Sequence, residues 1–135
     1  MSDTPPTPEN TLEAVLGFEL LELGPERATG RAAVGPNLMQ PYGLEHGGVY
    51  AAMADSIASV ATALAVKDAG NIAVGQSNNT SFLRPITSGY VNGEARARHS
   101  GRTTWVWDVD MTDDDGRLCA TSRVTIAVRP APAAR

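Results

Sequence analysis

HGGVYAAMADSIASVATALAV, residues 46–66, reads as one long helix opened by a glycine pair. At about 100° per residue, Val49, Met53, Ile57, Val60 and Leu64 fall on a single stripe. Burying all five would contribute roughly 7–15 kcal/mol of gross transfer free energy before chain entropy is subtracted. Alanine fills much of the remaining surface, so other backbone or a ligand can approach closely. Asp55 stands off the apolar stripe, with Ser59 one turn later and Gly48 two turns earlier. One edge of a core helix thus carries a carboxylate, a hydroxyl and the amide-rich start of the helix, an alignment that points to chemistry.

Immediately before this helix, residues 35–45 (GPNLMQPYGLE) are irregular, because Pro36, Pro41 and Gly43 oppose regular structure. A loop of this length at a helix start is a candidate binding loop, and it contains Gln40 and Tyr42. After the helix, Lys67-Asp68-Ala69-Gly70 reads as a stop. Further back, Asn10 or Thr11 can cap a short helix ended by Gly17, with Leu12, Val15 and Leu16 turned inward. Residues 18–23 read as a strand, Gly24-Pro25 as its turn, and residues 27–34 as a hairpin partner. The chain beyond the long helix is β-rich. Residues 72–83 form an extended segment whose middle, GQSNNTS, is polar on both faces, as suits a sheet edge or a subunit junction. Residues 90–98 give the next strand. Residues 103–112 alternate, with Trp105, Trp107, Val109 and Met111 on one face. Asp113 to Gly116 (DDDG) is a hairpin turn rather than a calcium loop, since the further ligands of an EF-hand are lacking. The last strand turns Leu118, Ala120, Ser122, Val124, Ile126 and Val128 to one side and Cys119 to the other.

The expected organisation is a flexible tail over residues 1–9, a single domain over residues 10–129 and a short flexible tail over residues 130–135. The class is α+β, with the helix laid across one antiparallel sheet. A length of 135 residues suits one core. A net charge of −4 and a pI near 5.0 argue against a general binder of nucleic acid or anionic membrane. The lone cysteine, Cys119, forms no intrachain disulfide, and no zinc-ligand spacing is present. A reducing compartment is expected. The N-terminal residues show no signal-peptide pattern, and Asp55 with three hydroxyl residues interrupts the apolar helix, so a cytoplasmic protein without a membrane span is expected.

Gln40, His46-Gly47-Gly48, Asp55 and Ser59, followed by FLRP (82–85) and HSGRTT (99–104), resemble the hotdog-fold acyl-CoA thioesterases of the PaaI type. That group includes the Arthrobacter-type 4-hydroxybenzoyl-CoA and the 1,4-dihydroxy-2-naphthoyl-CoA thioesterases. The resemblance spans about residues 10–129. It implies a curved antiparallel sheet wrapped round the helix, and paired subunits, as a dimer or a dimer of dimers (a homotetramer), that share active sites. It also implies hydrolysis of a CoA thioester, with an aryl or medium-chain acyl group, without metal or other cofactor. Two further readings remain: a non-catalytic acyl-CoA-binding protein of the same fold, and a hotdog hydratase or dehydratase, although no Asp and His at the hydratase spacing are apparent.

The resemblance implies that Asp55 is the nucleophile or the base that activates water. The chain has Asp where the benzoyl-CoA and naphthoyl-CoA branches carry Glu. The one-methylene retraction favours water activation and weakens any transfer of their substrates. Gly47, at the helix N-terminus, offers an unpaired N–H to a thioester oxygen gaining charge. Gln40 is a candidate second donor, against the alternative of a solvated loop residue. Ser59 matches a residue supporting the water or the carboxylate, against a hydroxyl bonded to its own helix. His46 is a loop-ordering residue at the site rather than an acid–base catalyst. Gly48, Arg84, Gly101 and Arg102 are candidates for CoA, with Arg96 and Arg98 competing for its phosphates. Asp55 lies eight residues beyond Gly47, roughly 12 Å of helix rise. One carbonyl cannot easily be held by that amide and attacked through that carboxylate in the same chain, so a two-fold partner is expected to supply the second group.

Overall fold

The computed structural model describes residues 9–133. Residues 1–8 of the expected N-terminal tail, and residues 134 and 135 of the C-terminal one, lie outside the described residues. In chain order the elements are α1 (Leu12–Leu16), β1 (Phe18–Leu23), β2 (Arg27–Ala33), α2 (Gly47–Val66), β3 (Asn71–Phe82), β4 (Tyr90–Ser100), β5 (Thr104–Thr112) and β6 (Leu118–Pro130). The strands form one six-stranded sheet in the order β1-β2-β4-β5-β6-β3, with antiparallel neighbours throughout. Helix α2 packs against all six strands. This is the hotdog fold: one long helix held in an antiparallel sheet.

Local chemistry sets the ends of α2. His46 is the N-cap, its Nδ1 accepting from Gly48 N–H at 2.8 Å. The C-terminus tightens into a 3-10 turn, Lys67–Ala69, and stops at Gly70 in the left-handed region (φ 79°). By length and composition α2 could cross a membrane, contrary to the expectation that Asp55 and the hydroxyl residues forbid it. It is instead the core of the domain, with Met53, Ala54, Ile57, Ala58 and Ala61 at most 1% exposed.

Its buried face is wider than the expected stripe and rotated from it. Val49, Met53 and Ile57 are buried, but Val60 and Leu64 are only half-buried, and Ala54, Ala58, Ala61 and Thr62 take the inner positions. Small residues let the helix sink close to the strands. The sheet meets it halfway: Gly30 and Gly93 pair across β2 and β4 beneath Ile57. A Cβ at Gly93 would lie 2.8 Å from Ile57 Cδ1 and 3.1 Å from Met53 Sδ. The buried indole N–H of Trp107 is matched as well, its Nε1 donating to Thr62 Oγ1 at 2.8 Å while that hydroxyl donates to Ala58 O at 2.8 Å.

Two further expectations need correction. Leu12 and Val15 do not turn inward; they are 57% and 74% exposed, and only Leu16 packs on the core. A five-residue helix tied down by Ser56 Oγ donating to Glu13 Oε1 (2.9 Å) presents little of its surface inward. Cys119 is buried rather than outward-facing. Met111 pairs with Ala120 and Thr112 with Leu118, so Cys119 is the extra residue of an irregularity and breaks the alternation. Leu118 is correspondingly exposed. The DDDG turn forms as read, with Asp113 accepting from the backbone N–H of Asp115 and Arg117 and from Arg117 Nε.

Candidate active site

The loop before α2 is folded tightly by its own backbone. Met39 and Glu45 form an isolated antiparallel bridge, Gln40 N–H donates to Leu44 O at 2.7 Å, and His46 N–H donates to Leu38 O at 2.7 Å. Gly43 takes the positive φ of 83° that this reversal needs. Within it, Gln40 Oε1 accepts from Tyr42 N–H. Gln40 Nε2 is left as a donor without a partner among the described residues.

Gly47 is the first residue of α2, so its N–H has no intrahelical acceptor. Phe82, from the end of β3, lies over it: a Cβ on Gly47 would stand 3.0 Å from two ring carbons. Gly47, Gln40, Glu45, Tyr50, Phe82 and Arg84 share a cavity of about 360 Å³. Glu45 is 5% exposed and neither carboxyl oxygen has a hydrogen-bond partner among the described residues; burial pushes its pKa up to about 7. Tyr50 is 4% exposed; burial, reinforced by the neighbouring Glu45 and opposed by the Ile86 backbone N–H, pushes its phenol to about 12.

Asp55 belongs to a different place. It stands near the surface of α2 against β3, where Gly75 leaves room for it: a Cβ at Gly75 would be 2.7 Å from Asp55 Oδ1. A register shift between Gly75 and Ser77 marks this point of the strand. Ser59 Oγ lies 3.5 Å from Asp55 Oδ1, at the outer limit of a hydrogen bond. Desolvation raises the Asp55 pKa, the Ser59 hydroxyl opposes this, and the Glu13 charge adds to it. Just N-terminal along the helix, Asn78 Nδ2 donates to Ala51 O at 2.9 Å, fixing β3 to α2.

The expected residues therefore do not all come together within one chain. Gly47, Gln40 and Arg84 line one cavity, and Asp55 and Ser59 stand together outside it. His46 and Gly48 line neither. They border an apolar groove of about 340 Å³ on the other side of the helix start, with Leu16, Leu38 and Val49. Gly101 and Arg102 form the β4–β5 turn, at the opposite end of the sheet from Arg84. Thr103 O accepts from Val128 N–H, and Val128 pairs with Ala73, whereas Arg84 N–H donates to Cys119 O beside the Phe82–Ala120 pair. From residue 73 to residue 82 a strand runs roughly 30 Å, so the two arginines do not meet within one chain.

Sequence reasoning missed Glu45, Tyr50, Phe82 and Gly75. Glu45 carries one visible signal, a charged residue between Leu44 and His46 at the mouth of an apolar helix. The others gain their roles only from contacts between segments far apart in the chain. No group of three or more His, Cys, Asp or Glu that could hold a metal ion occurs among the described residues.

The sequence profile of the Thioesterase superfamily matches residues 42–120. The Mycobacterium tuberculosis protein Rv1847 is 42% identical over 126 residues, covering 90% of each chain. The proofreading thioesterase EntH of Klebsiella pneumoniae is 38% identical over 120 residues, 89% of this chain and 87% of its own. Among solved structures, a variant of the thioesterase PA1618 from Pseudomonas aeruginosa superposes with a TM-score of 0.86 at 37% identity, covering 90% of this chain and 88% of that one.

Proposed function

The chain belongs to the thioesterase superfamily and is a thioester hydrolase; on that premise we propose that it cleaves acyl-CoA thioesters in a site assembled from two copies of itself. One observation carries this reading. The free N–H of Gly47 opens into a cavity that Asp55 does not line, and the two residues are eight apart on a rigid helix, roughly 12 Å in rise. A second chain related by a two-fold axis supplies the missing half. The edge of β3 suits that contact: it ends the sheet, and Ile72, Val74 and Phe82 are exposed along it.

In the proposed step the thioester oxygen lies against Gly47 N–H and Gln40 Nε2 of one protomer. Asp55 of the partner subunit takes a proton from water while Ser59 of the partner subunit holds that water or the carboxylate. The hydroxide oxygen bonds to the carbonyl carbon, the C–S bond breaks, and the thiolate of CoA leaves and is protonated. Gly47 and Gln40 stabilise the oxyanion formed in between. His46 acts by capping the helix that presents Gly47. Arg84 and Gly48 from one chain, and the Gly101–Arg102 turn from the other, are the groups proposed to meet CoA. No metal or cofactor enters the scheme, and the single buried thiol fits a cytoplasmic enzyme.

A free-thiol release assay over a panel of aryl and aliphatic acyl-CoAs tests the substrate class. Subunit mixing tests the site. Gly47→Leu should disable one half-site and Asp55→Asn the other. After dissociation and random reassociation, half the dimers are mixed and each regains one site, so about a quarter of wild-type activity should return. Two folded, exchanging variants that regain nothing would show that each chain works alone.

A further inference from the structure

The polar run of β3, GQSNNTS over residues 75–81, takes no part in the proposed reaction. Part of it faces α2, where strand alternation would ordinarily place apolar side chains. Asn78 and Thr80 lie on that inner face, opposite Val124 and Ser122 of β6, both buried. Their polar groups are bonded in sequence. Ser122 Oγ and Thr80 Oγ1 are 2.7 Å apart, and Thr80 Oγ1 donates to Asn78 Oδ1 at 2.7 Å. With its proton committed there, Thr80 accepts from Ser122. With its oxygen so occupied, the Asn78 amide turns Nδ2 to the helix and donates to Ala51 O at 2.9 Å. That carbonyl is already the one the helical ladder gives to Asp55 N–H. Ala51, Asp55 and Ser59, four residues apart, make one edge of α2. Strand β3 runs along this edge, with Asn78 at Ala51 and Gly75 at Asp55 and Ser59.

We propose that Asn78 is a positioning residue for the hydrolysis: tied back through Thr80 to Ser122, it fixes the distance between β3 and α2 and so holds Asp55 where it can take a proton from water. The inference rests on the role of Asp55 proposed above. Strand β3 has a neighbour, β6, on one side only, and Gly75 has no side chain to hold the strand off the helix. Ser59 Oγ, at 3.5 Å, holds the Asp55 carboxylate weakly. The backbone of β3 at Gly75 is therefore the wall on which Asp55 rests, and Asn78 sets where that wall stands. Asn78 touches neither substrate nor water in this scheme and transfers no proton. One hydrogen bond of this kind adds little to net stability, whereas a catalytic group misplaced by about an ångström is costly in rate.

The test separates kcat from KM on whichever acyl-CoA the wild-type protein hydrolyses fastest. Asn78→Leu keeps the bulk of the side chain and loses both bonds. It should keep the wild-type circular dichroism and sedimentation and lower kcat by about 10- to 100-fold. Its KM should stay within about twofold, because Gly47, Gln40 and Arg84 are untouched. Thr80→Val removes the hydroxyl that orients the Asn78 amide and should lower kcat in the same direction. Thr80→Ser, which keeps that hydroxyl, should restore most of the rate, and this pair decides the matter if Asn78→Leu does not fold. In an Asp55→Asn background, Asn78→Leu should lower the residual turnover by no more than about twofold, since the group it positions is already disabled. Wild-type kcat in folded Asn78→Leu, a loss carried by KM, a loss that recurs in full beside Asp55→Asn, or equal rates for Thr80→Val and Thr80→Ser would each overturn the assignment and leave the thioesterase reading intact. Full activity of Asp55→Asn, or a wild-type protein that hydrolyses no acyl-CoA, would instead remove the parent reading and the positioning role with it.

Discussion

Gly75→Ala is the substitution that asks most directly whether Asp55 does chemistry. The added Cβ would lie 2.7 Å from Asp55 Oδ1, 3.7 Å from its Cγ and 3.8 Å from Ser59 Oγ. Attractive contact begins near 3.5 Å, so the carboxylate must retreat by about half an ångström or more, or turn. The cost to the fold should be small, because Gly75 is exposed on an edge strand and its φ is ordinary for any residue. Displacements of this size in a catalytic group cost on the order of 10- to 100-fold in rate. The expected result is a well-folded protein with kcat lowered by that factor. A double-mutant cycle sharpens it. Asp55→Asn alone should lower turnover by roughly 10² or more. Adding Gly75→Ala to Asp55→Asn should then remove little more, because the group it displaces has already lost its function. Full activity in folded Gly75→Ala, or losses that simply add, would mean that the position of Asp55 against β3 does not matter to turnover.

Glu45 gives a pH signature. Its carboxyl titrates near 7 in the folded chain against about 4.5 when exposed, so the folded state holds the extra proton between those values. Stability should therefore fall as pH rises from about 4.5 to 7, by on the order of 3 kcal/mol, and urea titrations of Glu45→Gln should lack that slope. Thr62→Val should cost about 1–3 kcal/mol, since it strands the Trp107 indole N–H at the centre of the core; chemical denaturation reads this directly. Gly93→Ala should cost about 1–3 kcal/mol by overpacking Ile57, and Ile57→Val, which deletes the Cδ1 atom 2.8 Å from the new methyl, should recover part of it in the double variant.

Strand periodicity was legible wherever each residue faces one side. Trp105, Trp107, Val109 and Met111 alternate and are all buried, and the polar run of β3 does mark a sheet edge. The face of α2 was harder to read because six strands surround it. Its inner positions are held by Ala54, Ala58, Ala61 and Thr62, whose small side chains carry little hydropathy signal but permit close packing. Cys119 was misjudged because one irregular step in the ladder reverses the side on which a residue falls, and nothing local announces it. At the candidate site, the residues fixed by local geometry were accessible: Gly47 by its place at a helix start, and Asp55 with Ser59 by their spacing of one turn. Gly75, Phe82 and Tyr50 were not. Their neighbours come from the other side of the fold, and a sequence does not record which glycine a carboxylate will lean against.

The open edge of β3 has a consequence for measurement. If turnover requires two chains joined along it, the active species obeys mass action. Below the dissociation constant of that contact, rate should rise with the square of protein concentration, and only above it in direct proportion. Specific activity measured at trace concentration would then understate the enzyme, and substrate, by bridging both chains, would itself draw monomers together. Progress curves would start with a lag that shortens as either protein or acyl-CoA is increased.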